Sequence, residues 1–240
     1  ILRMIELKIS ETREELAKSF ARDLFQLVSQ TNGYFHLALS GGSTPRLLFD
    51  HLSHDYASRM PWEKIHFWWG DERCVPPSDA ESNYRMTYDH LLGKIDFKPD
   101  HIHRIKGELT PGEACRLYRD EIRDLIPVHA HLPLFDLIIL GIGDDGHTAS
   151  IFPDQMDLLI SNETCAIAVH PQSGQKRVTL TGPVLNNARQ VSFLVTGTSK
   201  ATRIAQIINK ENSAAYLPAS HIQPARLSFY LDHEAASGIK

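Results

Sequence analysis

Hydrophobic and polar residues alternate along this chain with two periods, one typical of amphipathic helices and one typical of buried strands. The first helix is predicted to begin after Thr12, which opens a Thr-x-x-Glu capping box, and to continue to about Gln30. Asn32 and Gly33 break this pattern, and the run YFHLALS that follows is typical of a buried strand. The roughly thirty residues before the first predicted strand are therefore expected to form one helix.

The same two periods continue to the end of the chain. Further strands are predicted at KIHFWWGD, at residues 135–140, at CAIAVH, RVTLT, QVSFLVT and LSFYLD, with a shorter one at HIHRI. Further helices are predicted at PRLLFDHL (opened by Pro45), SNYRMTYDHLL, PGEACRLYRDEIRDLI, and residues 183–188 and 199–209.

Strands that alternate with helices, several of them uninterrupted apolar runs, predict an α/β fold with a mostly parallel sheet and helices on both faces. No linker, repeat or low-complexity tract divides the sequence, so we expect one domain over residues 1–240. Ligands of such sheets bind at the loops that follow the carboxyl ends of the strands. Those loops are the place to look for a functional site.

The amino-acid composition limits the possible binding partners of the protein and its possible cellular compartments. The 25 basic and 29 acidic residues give a formal net charge of −4, which argues against nucleic acid as a partner but leaves room for a small anion pocket. No apolar run reaches the roughly 18 to 20 residues that cross a membrane, and the first residues lack an export signal. Cys74, Cys115 and Cys165 form no disulfide or zinc pattern, so we expect a cytoplasmic protein, either a monomer or a weak homodimer.

The loop SGGSTP, residues 40–45, lies between a predicted strand and a predicted helix. Gly42 lets the backbone approach a ligand, while Ser43 and Thr44 add hydroxyl groups. The helix directs its N-terminal amides to the same point, which is typical of a phosphate site. A glycine turn with an ordinary helix cap gives the same pattern, and the Walker A spacing of nucleotide-binding loops is absent.

Two further loops and one strand supply charged groups. WWGDERCVP places Asp71 and Arg73 directly after a predicted strand, where Arg73 can bind a phosphate and Asp71 can accept from sugar hydroxyls. VTGTSKA places Lys200 in the first turn of a helix, and RVTLT contributes Arg177. Each is also compatible with an ordinary surface charge, so their interpretation depends on these segments meeting at one edge of the sheet.

The loop GIGDDGH, residues 141–147, has the Gly-x-Gly-x-x-Gly spacing of a dinucleotide-binding turn. Three observations argue against a dinucleotide: the motif lies past mid-chain, the next strand ends in His170 rather than an acid, and Asp144 and Asp145 would repel a pyrophosphate. His147 instead follows a tight glycine turn, and a histidine there is suited to removing a proton from water. Asp145 is the preferred residue to orient it, with Asp144 as the alternative.

Metal ligation is disfavoured by the available ligands. His101 and His103 alternate, as do His129 and His131, but neither pair is accompanied by the cysteine or third histidine of a zinc site. We therefore expect no metal and no cofactor.

Four segments, in this order, resemble the 6-phosphogluconolactonase family. They are LALSGGSTP, FWWGDERCVPPSDAESNY, LIILGIGDDGHTASIFP and RVTLTGPVLNNARQVSFLVTGTSKA. The likeness extends from about residue 10 to about residue 232, and the combination of GDER-x-VP with DGHTAS-x-FP is its specific part.

This resemblance implies a modified Rossmann-type fold akin to sugar-phosphate isomerases, without a nucleotide. It implies metal-free hydrolysis of 6-phospho-D-glucono-1,5-lactone, a sugar phosphate, to 6-phosphogluconate in the oxidative pentose phosphate pathway. His147 corresponds to the family's catalytic histidine, and Arg73 and Lys200 correspond to its phosphate-binding groups. The SGGSTP loop, with Gly42, Ser43 and Thr44, is expected to line the site.

Two alternatives differ in what the sequence should contain. An amino-sugar-phosphate deaminase or isomerase of the same fold resembles GHIAFNEP after the aspartate, whereas this chain has GHTASIFP and no glutamate there. A non-catalytic sugar-phosphate sensor should carry a helix-turn-helix module, for which the single helix predicted before the first strand leaves no room. The lactonase hypothesis is preferred.

Overall fold

Within residues 4–240, which the computed structural model describes, the strands form three sheets. The strands are β1 (Met4–Ser10), β2 (Phe35–Leu39), β3 (Ile65–Trp69), β4 (Asp71–Arg73), β5 (Val128–His129), β6 (Leu132–Pro133), β7 (Leu137–Leu140), β8 (Cys165–Val169), β9 (Lys176–Leu180), β10 (Gln190–Val195) and β11 (Arg226–Asp232). The α-helices are α1 (Arg13–Gln30), α2 (Ser43–Asp55), α3 (Asn83–His90), α4 (Pro111–Leu125), α5 (Gly182–Asn187), α6 (Ala201–Ile208) and α7 (His233–Ala236).

The main sheet has the strand order β1-β11-β10-β7-β2-β3, and all of its pairings are parallel. Every residue of β2, β3, β7 and β10 is buried. Strands covered on both faces are mostly apolar, which is why these segments appear in the sequence as hydrophobic runs. The buried polar exceptions are His36, His66, Gln190 and Ser192. The predicted α/β fold with a mostly parallel sheet is confirmed.

The first helix begins where the capping box predicts. The hydroxyl of Thr12 accepts a hydrogen bond from the backbone N–H of Glu15 at 3.2 Å. The carboxylate of Glu15 accepts from the backbone N–H of Glu11, one residue before the position that the motif predicts. The apolar side of α1, including Leu16, Phe20 and Leu24, is buried in the core.

The prediction that one helix fills the residues before the first strand is wrong. Met4–Ser10 form β1, an edge strand that pairs in parallel with β11 at the other end of the chain. The segment alternates Ile5, Leu7 and Ile9 with Glu6 and Lys8, the period of a strand. Its partner lies more than two hundred residues away, so nothing nearby in the sequence signals the pairing.

A second, antiparallel sheet has the order β4-β9-β8. The predicted strands CAIAVH and RVTLT belong here and not to the main sheet. Glu72 and Arg73, which were predicted to lie in the loop after the strand KIHFWWGD, form β4 together with Asp71. Arg73 of β4 lies opposite Arg177 of β9. Pairing with β9 turns a polar segment into a strand, because the partner strand supplies its backbone hydrogen bonds.

Two smaller differences concern the connections. HIHRI was predicted to be a strand, but Pro99–His101 form a 3₁₀ turn and Ile102 makes only a single bridge to Phe67. The short hairpin of β5 and β6 was not predicted. Among the described residues, no helix has the length and apolar character needed to cross a membrane.

Candidate active site

The loops that follow β2, β3 and β7 surround a cleft of about 250 Å³ at the carboxyl ends of these strands. This is the edge at which parallel α/β sheets bind ligands. The residues that line the cleft are Ser40, Gly41, Gly42, Asp71, Arg73, Asn83, Gly141, Ile142, Gly143, His147, Ala149, Arg177 and Lys200. The polar loops singled out in the sequence therefore meet at one place.

His147 is oriented by Asp145. The carboxylate Oδ1 of Asp145 lies 2.6 Å from Nδ1 of His147 and also accepts from the backbone N–H of His147 at 3.0 Å. Burial favours the protonated form of Asp145, but these hydrogen bonds and the imidazole charge outweigh it and lower the pKa of Asp145 to about 2. Because an ionised carboxylate only accepts, Nδ1 carries a proton, and in the neutral ring Nε2 then holds the free lone pair.

The close approach of Asp145 and His147 depends on glycine at position 143. A Cβ atom there would lie 2.1 Å from Nδ1 of His147 and 2.7 Å from Oδ1 of Asp145. The backbone N–H of Gly143 also donates to the carbonyl oxygen of His147 at 2.9 Å, which closes the turn. Gly143 therefore serves a tight turn around the histidine–carboxylate pair.

Arg73 and Arg177 place two guanidinium groups side by side in the cleft. They are directly opposite each other in the β4–β9 pairing, and each has a buried Nε without a hydrogen-bond partner. In the described part of the chain neither forms an ion pair with a carboxylate, although Arg73 donates to the carbonyl oxygen of Glu81. Burial, and secondly the charge of Arg73, lower the pKa of Arg177. Two neighbouring cations with unused donors are a binding site for an anion.

Asp71 is held in a buried hydrogen-bond network at the same edge. The hydroxyl of Ser150 donates to its Oδ2 at 2.6 Å, and the side-chain amide of Asn83 donates to its backbone carbonyl at 2.9 Å. The amide of Asn83 lies 3.5 Å from Oδ1 of Asp71. These contacts leave Asp71 able to accept a hydrogen bond from a ligand in the cleft.

Glu72 fixes the start of α3 against this site. Its carboxylate accepts from the backbone N–H groups of Arg73, Asn83 and Tyr84, each at 2.8 Å, and from the hydroxyl of Ser82 at 3.0 Å. Burial raises the pKa of Glu72, against the effect of these four donors. Glu72 thereby holds Arg73 and Asn83 in position without lining the cleft itself.

Lys200 reaches the cleft from the turn before α6. Its ammonium group forms an ion pair with Asp144, and this contact lowers the pKa of Asp144. Arg203, one turn further along, donates from Nε to the backbone carbonyl of Asp144 at 2.8 Å. Of the two adjacent aspartates, one therefore binds His147 and the other connects the same loop to α6.

The SGGSTP loop contributes mainly backbone atoms, and few side-chain atoms, to the lining of the cleft. Gly42 is the N-cap of α2 with φ of 110°, a conformation that favours glycine, and it lines the cleft. Ser43 is exposed in the first turn of α2, and the hydroxyl of Thr44 is hydrogen bonded to that of Thr196 at 2.8 Å. Neither Ser43 nor Thr44 is among the residues that line the cleft.

Sequence reasoning missed Asn83, Ser150 and Glu72. Asn83 was assigned to a helix, which is correct, but its side chain reaches the cleft because it occupies the first position of α3. Ser150 lies within the quoted DGHTAS motif, so its polar character in a buried segment was the available signal. Among the described residues, no three His, Cys, Asp or Glu side chains converge as metal ligands.

Comparison with known proteins identifies relatives over most of the chain. Residues 10–231 match the family described as glucosamine-6-phosphate isomerases/6-phosphogluconolactonase. The chain is 41% identical over 201 residues to a 6-phosphogluconolactonase of Treponema pallidum, which covers 84% of this chain and 83% of that protein. It is 42% identical over 214 residues to a 6-phosphogluconolactonase of Haemophilus influenzae, with 88% and 90% covered.

The fold is similar to solved structures as well. The crystal structure of a protein named devB superposes with a TM-score of 0.93 at 42% sequence identity, over 99% of this chain and 100% of that chain. The fold of this chain is thus already known from crystallography.

Proposed function

Since the chain belongs to the family of glucosamine-6-phosphate isomerases and 6-phosphogluconolactonases, we infer that it is an enzyme that hydrolyses 6-phospho-D-glucono-1,5-lactone to 6-phosphogluconate. This is the hydrolytic step of the oxidative pentose phosphate pathway. The resemblance of the four motifs leads to the same activity. The residue assignments that follow are part of the proposal.

The phosphate group of the substrate is bound by Arg73 and Arg177, with Lys200 at the side of the cleft. The supporting observation is the pair of adjacent guanidinium groups, whose buried Nε atoms have no partner. Arginine can bind phosphate with two parallel hydrogen bonds, so the pair fixes orientation as well as position. Holding the phosphate end in this way places the lactone carbonyl near His147 and lowers the entropic part of the barrier.

His147 acts as the general base. Its Nε2 lone pair takes a proton from a water molecule as that water attacks the lactone carbonyl carbon. The carboxylate of Asp145 keeps the ring in this tautomer and stabilises the imidazolium that forms. The imidazolium then donates its proton to the ring oxygen as the carbon–oxygen bond breaks, which completes hydrolysis without a covalent intermediate.

Backbone amides next to Gly42, at the start of α2, stabilise the negative charge that develops on the carbonyl oxygen. The N-terminal amides of a helix are free to donate, and the helix dipole favours an anion there. Such a donor is worth about 3 kcal/mol of transition-state stabilisation in other hydrolases. Asp71, held by Ser150 and Asn83, accepts from a sugar hydroxyl and sets the rotation of the ring.

The observation that carries the proposal is the pairing of His147 with Asp145 in the same cleft as the two unpaired arginines. A base and an anion site within one cleft suit a phosphorylated ester. We also propose a cytoplasmic location, which the three free thiols favour.

The direct test is hydrolysis of freshly generated 6-phosphogluconolactone, followed by oxidation of the product in a coupled assay and corrected for spontaneous hydrolysis. Ammonia release from glucosamine 6-phosphate is measured in parallel, because the family name also includes that chemistry. We expect lactone hydrolysis well above the spontaneous rate and no ammonia. Ammonia release without lactone hydrolysis would overturn the proposal.

A further inference from the structure

The edge strand β1 presents an unpaired apolar stripe. β1 pairs with β11 on one side only, so its other side ends the main sheet. Ile5, Leu7 and Ile9 share one face of the strand and are 58%, 39% and 52% exposed. Glu6 and Lys8 share the opposite face, where Lys8 is bound to Asp23 of α1 at 2.8 Å.

This edge lacks the usual protection. Edge strands are commonly shielded by proline, by a bulge, or by charges that interrupt the apolar face. Residues 4–10 contain no proline, and their register with β11 is continuous. Glu6 and Lys8 both lie on the face opposite the apolar stripe, where Lys8 is bound to Asp23 of α1. A strand with free backbone donors and acceptors and three exposed apolar side chains is suited to pairing with another strand.

We propose that a second copy of this chain binds here, with the two β1 strands antiparallel across a two-fold axis and Leu7 opposite Leu7 of the second copy. The two main sheets then form one continuous sheet. This proposal concerns assembly and does not depend on the proposed enzymatic activity.

The side chains of β1 are self-complementary in this register. With Leu7 on the axis, Ile5 lies opposite Ile9 of the second copy, so the apolar stripes of both strands adjoin on one face. On the other face Glu6 lies opposite Lys8 of the second copy, and this opposition occurs twice by symmetry. All seven residues from Met4 to Ser10 find a partner.

Neighbouring registers are disfavoured by charge. A shift of two residues in one direction places Glu6 opposite Glu6 of the second copy, and a shift in the other places Lys8 opposite Lys8. Like charges directly opposite each other destabilise a strand pair. A shift of one residue would set apolar side chains opposite charged ones. Only the pairing centred on Leu7 matches both faces.

The groups around Lys8 support this arrangement. Its ammonium group is held by Asp23 and by the hydroxyl of Tyr230 at 3.2 Å, and it lies 3.3 Å from Glu6 of its own strand. Lys8 is therefore already positioned on the face where Glu6 of the second copy would arrive. The dimer would place two Glu6 and two Lys8 side chains in an alternating square.

The expected association is weak. A single pair of seven-residue strands buries less than the roughly 800 Å² per partner of a typical stable interface. The surface continues at one end, where Ile5 also lines an apolar groove with Ile207 and Ile208. We therefore expect a reversible dimer that forms at micromolar or higher concentration.

Sedimentation velocity over a range of protein concentrations tests the association. We expect a monomer–dimer equilibrium in the unchanged chain. The dissociation constant of the dimer should be at least tenfold higher for Leu7→Lys and for Glu6→Lys, and the second variant places a like charge opposite Lys8. Ile160→Lys is the matched control, because Ile160 is 81% exposed and lies far along the chain. A monomer at all concentrations, or equal weakening by the control, would overturn the proposal.

Cysteine cross-linking tests the register. The test uses a chain in which Cys74 and Cys115 are replaced by serine. Mild oxidation should join two copies of its Leu7→Cys variant by a disulfide, since Cβ atoms directly opposite each other lie about 4.5–5.5 Å apart. Ile5→Cys alone should not cross-link, whereas a mixture of Ile5→Cys and Ile9→Cys chains should give the heterodimer. Cross-linking of every single variant, or of none above the level of Ile160→Cys, would contradict the antiparallel pairing.

Discussion

At the scale of single residues, two adjacent aspartates in one loop have different environments. Asp145 contacts the imidazole of His147 at 2.6 Å, whereas Asp144 pairs with Lys200. The first contact governs the protonation chemistry that we propose, and the second attaches the loop to the start of α6. The two carboxylates should therefore respond differently to the same substitution.

Asp145→Asn should reduce kcat at least about tenfold, because the imidazolium formed during reaction loses its carboxylate. KM for the lactone should change much less, because Asp145 acts on the substrate only through His147. Steady-state kinetics measure both constants. The matched control is Asp144→Asn, for which kcat should fall much less; an equal fall in kcat in both variants would contradict the assignment.

Arg177→Ala should raise KM for the lactone about tenfold or more and change kcat much less, because it removes a phosphate contact made in both the ground state and the transition state. Arg189→Ala is the control: Arg189 is an exposed arginine paired with Asp136 at the other end of the sheet. A fall in kcat with unchanged KM would place Arg177 in the chemical step instead.

Residue types and positions were predictable, but their contacts were not. His147 and Arg73 follow from the motifs, since each stands in a loop that follows a predicted strand. The sequence left open whether Asp144 or Asp145 contacts His147, because side chains two and three residues away can both reach a ring across a glycine turn. Arg177 was only a candidate, since its nearness to Arg73 depends on a strand pairing between residues a hundred positions apart.

At the scale of elements, the amino ends of β2 and β3 bury a group of histidines on the side away from the cleft. A ring nitrogen of His66 lies 2.8 Å from a ring nitrogen of His103, and the other ring nitrogen of His103 contacts Glu121 at 2.7 Å. The ring of His66 is also stacked on the ring of His101. Burial, and then the charges of the neighbouring histidines, lower the pKa of His36 to about 4 and that of His66 to about 3. Both remain neutral in the folded protein at pH values where an unfolded chain takes up protons.

The stability of the fold should therefore fall in mild acid. Groups with a lowered folded pKa stabilise the fold above their unfolded value of 6.5, and this contribution is lost as pH falls towards 4. We expect each of these two histidines to decrease the free energy of unfolding by about 2 kcal/mol between pH 7 and pH 5. Urea denaturation at several pH values measures the decrease.

The double variant His36→Gln, His66→Asn separates these two histidines from other titrating groups. Its free energy of unfolding should depend less on pH over the same range, whereas His54→Gln, which replaces an exposed histidine, should behave like the unchanged chain. An unaltered pH dependence in the double variant would rule out this explanation.

Strands buried on both faces were predictable from the sequence, whereas the edge strands β1 and β4 were not. The strands β2, β3 and β7 are apolar runs interrupted only by the buried His36 and His66, because no position along them faces water. In contrast, β1 and β4 carry charged residues and become strands through partners distant in the sequence, β11 and β9. Local periodicity contains no information about such partners.

At the scale of the whole molecule, one edge of the parallel sheet brings together the groups that we propose for the reaction. The cleft brings together His147 from the loop after β7, Arg73 and Arg177 from the small sheet, and Lys200 from the turn before α6. The net charge of −4 coexists with a local cluster of cations, as expected of a protein whose partner is a small anion. A single domain over residues 1–240 stays a prediction.

The central claim is that His147 removes the proton from the attacking water, and His147→Ala tests it most directly in the corrected lactone assay. We expect kcat to fall at least about a hundredfold while the affinity for 6-phosphogluconate stays nearly unchanged. His170→Ala is the control, because His170 also packs against Phe152 but is not among the residues lining the cleft. Near-normal turnover by the His147→Ala variant would contradict the proposed mechanism.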